Sequence, residues 1–144
     1  MSSESILIVE DDAVVIAGLK NQLTAAGYKV VAASSSAEAI RAAVMQRPDL
    51  MILDLTLLGE SMFNGLSDGL GLLEWLRLRL PEANFPVIIH TGDPSCRVEK
   101  RARAAGVATV FRKGDSTAGL LEAVRAALDA RVAPPESTDD SVQP

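Results

Sequence analysis

Asp49-Leu50-Met51-Ile52-Leu53-Asp54-Leu55 is a short apolar run closed at each end by an acid. Four uncharged, mostly branched residues between polar flanks suit a strand buried on both faces, as in a parallel sheet covered by helices. Such a strand delivers its last side chain to the carboxyl edge of the sheet, where open α/β folds bind and react with ligands. A single Asp in that place is most simply a cap or a loop solubiliser. Asp54 is not single, because Ile6-Leu7-Ile8-Val9 also runs directly into acids, Glu10-Asp11-Asp12.

With 144 residues, 48% hydrophobic and 23% charged, the chain can bury one proper core and is expected to be one globular domain over residues 1–131, followed by a disordered acidic tail over 132–144. A net charge of -5 without any Lys/Arg run argues against direct nucleic-acid binding and offers no attraction to anionic membranes. No segment has the roughly 18 apolar residues of a membrane span, and Met1-Ser2-Ser3-Glu4 lacks the features of a signal peptide, so a cytoplasmic protein is the expectation. Cys96 stands alone and permits neither an internal disulfide nor a cysteine metal cage.

Strand-like and helix-like segments alternate five times. Val15, Leu19 and Leu23 recur at helical spacing, and Gly27 stands where a helix ends. Residues 28–32 form a short strand. Ser35 with Glu38 is a capping-box signature for a helix carrying Ile40, Ala43 and Val44 inward until Pro48. Residues 55–67 carry no sustained period and read as a loop. Asp68-Gly69 opens a third helix with Leu72, Leu73, Leu76 and Leu80 inward, and Pro86-Val87-Ile88-Ile89-His90 is a fourth strand ending in Thr91-Gly92. Asp93-Pro94 opens a fourth helix with Val98, Ala102 and Ala105 inward. Residues 107–111 form the fifth strand, which leads to Arg112-Lys113-Gly114, and the last helix carries Leu120, Leu121, Val124 and Leu128. Five such units with right-handed crossovers predict a doubly wound five-stranded parallel sheet of order 2-1-3-4-5.

That order collects the strand-terminal polar residues: Glu10, Asp11 and Asp12, then Asp54, Thr91 and Lys113. Converging carboxylates repel unless a cation sits among them. A hard divalent ion suits the set, with Asp11, Asp54 and the backbone carbonyl of Thr56 as a half-shell, leaving positions for phosphate oxygens. Lys113 adds a point charge and Thr91 a hydroxyl donor, which together can stabilise phosphoryl transfer, and a carboxylate is itself a competent nucleophile.

The Ile-Leu-Ile-Val-Glu-Asp-Asp run, the Asp54 strand, the Ile-Ile-His-Thr-Gly segment and the Phe-Arg-Lys segment together resemble the receiver domain of bacterial two-component response regulators, over residues 5–131. The resemblance implies the flavodoxin-like receiver fold. It implies an Mg²⁺ site, with Mn²⁺ as an alternative, ligated directly by Asp11 and Asp54 and through water by Glu10. It implies that Asp54 accepts phosphate from a sensor histidine kinase or histidine phosphotransfer protein, and that Thr91 and Lys113 engage the new phosphate. A stand-alone phosphoacceptor switch rather than an enzyme, signalling in trans to a downstream protein partner, is the expectation. Similar receivers dimerise or signal through the fourth helix, fifth strand and fifth helix.

The chain departs from the pattern in three places. Asp68-Gly69 comes fourteen positions after Asp54 with no Pro between, so the loop beside the site is enlarged, and its Leu57, Leu58, Met62 and Phe63 are candidates for gating the site by covering the phosphate, for docking a partner, or for a simply mobile loop. Gly114 follows Lys113 where similar receivers carry Pro. Val110 stands where an aromatic ring usually moves with the Thr, which leaves Phe111, His90 or backbone shifts to take its part. Two rival readings are a degenerate receiver serving as a phosphorylation-independent binding module and an aspartyl-phosphate hydrolase. Thr56 disfavours the hydrolase, which would carry a second Asp there.

Overall fold

The apolar runs at Ser5–Val9 (β1), Leu50–Leu53 (β3) and Val87–Thr91 (β4) form the centre of a five-stranded sheet in a computed structural model that describes residues 4–54, 69–80, 84–91, 100, 102–104, 106–112 and 117–132. Lys29–Ala33 (β2) and Thr109–Arg112 (β5) are its edges, the order is β2-β1-β3-β4-β5, and every pairing is parallel. This is the order expected of a doubly wound sheet. Ala13–Ala25 (α1), Ser36–Gln46 (α2), Gly69–Arg79 (α3), the helical residues 100 and 102–104 (α4) and Thr117–Val132 (α5) complete the alternation. Among the described residues no helix is long and apolar enough to cross a membrane.

Successive strand residues point to opposite faces, so each central strand feeds two cores. Leu7, Val9, Met51, Leu53, Val87 and Ile89 pack against Ala39 and Ala43 of α2, Leu72, Leu73 and Leu76 of α3 and Ala102 of α4. Ile6, Ile8, Leu50, Ile52 and Ile88 meet Leu19 and Leu23 of α1 and Leu120, Val124 and Leu128 of α5 on the other side. Each fully buried aliphatic side chain contributes about 1.5–3 kcal/mol relative to exposure. Burial on both faces is why these strands are continuous apolar runs rather than alternating ones.

The ends of the helices follow local chemistry. Asp12 caps α1, its Oδ1 accepting from the N–H groups of Val14 at 2.9 Å and Val15 at 3.4 Å. Gly27, at φ 100°, takes the left-handed turn that lets the chain leave α1 for β2. Ser35 caps α2 as its sequence predicts, but Glu38 reaches one residue further back, accepting from the N–H and hydroxyl of Ser34 rather than from Ser35. Those bonds hold the Glu38 carboxyl below the usual glutamate range. Before the buried Pro48, which disfavours helical geometry at its predecessor, Arg47 adopts a left-handed φ of 48°.

Three local expectations shift. The buried face of α2 is Ala39 and Ala43 with Ile40 packed beside them, whereas Val44, expected inward, is 47% exposed. Alanine at the sheet-facing positions lets the helix approach closely, and Val44 lies about 100° further round the helix. The edge strands begin later than their apolar runs suggest, at Lys29 and Thr109. Val98 and Ala105, expected inward on the fourth helix, lie outside the described residues, while Ala102 is fully buried.

Replacing Leu72 by Ala should cost about 2–5 kcal/mol in denaturant unfolding, the range for a cavity in a packed core. Val44→Ser should stay within about 0.5 kcal/mol. A core-sized loss at Val44 would contradict the orientation of α2.

Candidate functional site

The register between β1 and β3 builds the site. Val9 lies opposite Leu53, and the Asp54 N–H continues the ladder to the Val9 carbonyl at 2.9 Å. On the other side of β1 the Glu10 N–H donates to the Ala33 carbonyl at 3.0 Å. Glu10 and Asp54 therefore leave adjacent strands at the same level, each only 1% exposed. Asp11 follows at the solvent side, and one carboxylate oxygen from each of the three lies within 4.8 Å of the others.

Among the described residues, the buried polar side chains are Glu10, Asp54 and Thr91. All three sit at the carboxyl edge, on three neighbouring strands. Burying carboxylates is unfavourable unless donors or cations compensate, so a core otherwise apolar throughout confines these groups to one place. Part of the compensation is local, since Glu10 Oε2 accepts from the Asp12 N–H at 3.2 Å.

This donor set fits a small hard cation. All three ligands are carboxylate oxygens, and two oxygens at about 2.1 Å on opposite sides of one Mg²⁺ stand about 4.2 Å apart, the scale of this cluster. Asp12, by contrast, commits its carboxylate to the first turn of α1 and is not one of the three.

Thr91 ends β4, in the same alternating row as Val87 and Ile89, and its register partner is Arg112. Arg112, to which the sequence drew no attention, is thereby an exposed cation at the same edge; only its position as the last residue of a strand could have flagged it. Val110 packs on the α2–α3–α4 side of the sheet, level with Ile89, while Phe111 packs on the α1–α5 side, level with the half-buried His90. Neither Phe111 nor His90 thus occupies the face of Val110, and neither takes the place of the missing ring. Lys113, Thr56 and the loop candidates Leu57, Leu58, Met62 and Phe63 lie outside the described residues.

Comparison with known proteins agrees with this arrangement. Residues 6–125 match the response regulator receiver domain family. The chain is 28% identical over 142 residues to the transcriptional regulatory protein PrrA of Mycobacterium tuberculosis, covering 99% of this chain but 57% of PrrA, so it spans little more than half of that relative. It is 27% identical to the polar-differentiation response regulator DivK of Brucella ovis over 88% of this chain and 97% of that one. A solved CheY-like receiver domain from Methanospirillum hungatei superposes with a TM-score of 0.77 at 28% identity, over 90% of this chain and 96% of that one. With the acidic cluster, the strand order and a family match over most of its length, this chain belongs to the receiver domains of response regulators.

Proposed function

We propose that Asp54 accepts a phosphoryl group from the phosphohistidine of a sensor histidine kinase or a histidine phosphotransfer protein. The observation that carries this reading is the confinement of buried polar side chains, among the described residues, to Glu10, Asp54 and Thr91 at one edge of the sheet. A carboxylate oxygen of Asp54 attacks phosphorus, the P–N bond to the donor imidazole breaks, and the electron pair leaves with that nitrogen, which takes up a proton. When bound by Asp11, Asp54 and the Thr56 carbonyl, with Glu10 through water, Mg²⁺ or Mn²⁺ supplies positive charge to the phosphoryl oxygens. Thr91 donates its hydroxyl to the transferred group and Lys113 places an ammonium beside it. Asp11 keeps the solvent side of the cluster open for the donor, consistent with its exposure.

In this reading the receiver spans residues 1–131, residues 132–144 form an acidic tail beyond it, and the protein works in the cytoplasm. Its readout passes in trans to a downstream protein partner rather than through nucleic acid or membrane. A homodimer through α4, β5 and α5 is one route for that signal. The chain is a switch that gains and loses phosphate, not a turnover enzyme.

Incubated with Mg²⁺ and a small phosphodonor, the protein should acquire one acid-stable, base-labile acyl phosphate. Asp54→Asn should abolish it while leaving the circular dichroism unchanged. Labelling that survives this substitution sinks the assignment.

Metal linkage gives an independent check. Asp11→Asn should raise the metal-free stability by about 1 kcal/mol, the Coulomb scale for two charges about 4 Å apart in a water-like medium. Mg²⁺ at about 100 times its Kd should stabilise the native protein by about 2.7 kcal/mol and leave the variant unchanged. Equal Mg²⁺ stabilisation of both proteins would remove Asp11 from the site.

A further inference from the structure

Away from the acidic edge, an open, shallow groove of about 390 Å³ lies between α3 and α4, lined by Glu74, Arg77, Leu78 and Ala104. Leu78 is 76% exposed, an unusual position for a large aliphatic side chain on a helix otherwise packed into the core. Lys100 stands one turn before Ala104 on the same face of α4, and exposed Arg103 and Arg79 flank the groove. Arg79 stacks over the Trp75 ring at 5.9 Å, which fixes the α3 side of the rim. Arg77 is half-buried, and desolvation lowers its pKa. A protein of net charge -5 thus gathers cations around Leu78 and Ala104, with Glu74 as the one acid among the described lining residues.

The chain itself carries a complementary segment. After Val132 come Glu136, Asp139 and Asp140, with no Lys or Arg, and then Val142. Where that segment starts is set by topology. In parallel crossovers the helices run back from the carboxyl edge, so the last turns of α3, α4 and α5 all lie at the amino edge of the sheet. α5 covers the opposite face from α3 and α4. Rounding the edge means crossing roughly 20 Å between the two helix layers. Seven or eight residues at about 3.3–3.6 Å each span roughly 25 Å, so Asp139 and Asp140 arrive at the groove and Val142 can follow onto Leu78 and Ala104.

We propose that residues 133–144 dock in the α3–α4 groove, with Asp139 and Asp140 against Arg77 and Lys100 and Val142 against Leu78. The contact is intramolecular and electrostatic in origin. It covers a surface distinct from the phosphoacceptor edge and leaves that edge open.

A nitroxide attached at position 137 of the 144-residue protein carrying Ser137→Cys and Cys96→Ser tests this by NMR. At about 0.01 M salt, where the Debye length is about 30 Å, the amide signals of Leu78, Lys100 and Ala104 should lose most of their intensity. At about 1 M salt, where it is about 3 Å, they should recover. Asp139→Asn with Asp140→Asn, which leaves the folded part untouched, should restore them at low salt, as should Arg77→Gln with Lys100→Gln. Broadening confined to the end of α5, or none at low salt, overturns the proposal. Broadening in an isotope-labelled, spin-free chain mixed with a spin-labelled one assigns the groove to a second copy and overturns it as well.

Discussion

Everything at the functional edge depends on the in-register pairing of β1 with β3. Because Val9 faces Leu53 and the ladder continues through Asp54, two carboxylates from distant parts of the sequence emerge side by side and almost wholly shielded from water. Like charges in such a place raise the energy of the empty fold, and the same repulsion makes the site bind whatever neutralises it. Stability and ligand binding are thereby coupled through one register. A slip by one residue would turn Asp54 to the other face and place Leu53 at the edge. The dense apolar packing of Ile6, Ile8, Leu50 and Ile52 below the site is what prevents that slip, since each of these side chains would have to leave its core.

The parts of the fold that were legible in the sequence are those where burial leaves no choice. β1, β3 and β4 are covered on both faces, so their runs are continuous and their ends abrupt, and the polar residues that close them, Glu10, Asp54 and Thr91, are conspicuous. The edge strands have less to bury. Their ladders start at Lys29 and Thr109, and hydrophobicity alone placed both starts too early. In α2 the periodicity favoured the larger side chain, but space against the sheet favoured alanine, so Val44 faces water and Ala39 faces the core. Similarly, Glu38 and Ser35 announce the start of α2, while the bond to Ser34 depends on where the chain arrives from β2.

At the site, residue types revealed Glu10, Asp11, Asp54 and Thr91 because polar groups terminating apolar strands are conspicuous. Their neighbours were less so. Asp12 shares the acidic run, yet its carboxylate belongs to the α1 N-terminus, a division of labour decided by φ and ψ rather than by composition. Arg112 next to Thr91 is visible only once β4 and β5 are paired. Which face Phe111 takes is likewise a matter of register, and it places the ring with Leu120 and Val124 on the side away from Val110.

In the proposed switch, that placement limits what Thr91 can contribute. Moving a two-state equilibrium from 1:99 to 99:1 needs about 5.5 kcal/mol. Burying an aromatic ring that was exposed contributes about 1.5–3 kcal/mol, and a hydrogen bond to a charged group contributes a similar amount. With the partly buried Val110 on that face the ring contribution is missing. A single charged hydrogen bond from Thr91 then changes the equilibrium by a factor of roughly 10 to 150, enough to take 1:99 to near balance and no further. Under the proposed phosphorylation of Asp54, a receiver built this way reaches full activation only where its resting state already lies close to balance or its partner supplies the remaining energy by binding only the phosphorylated form.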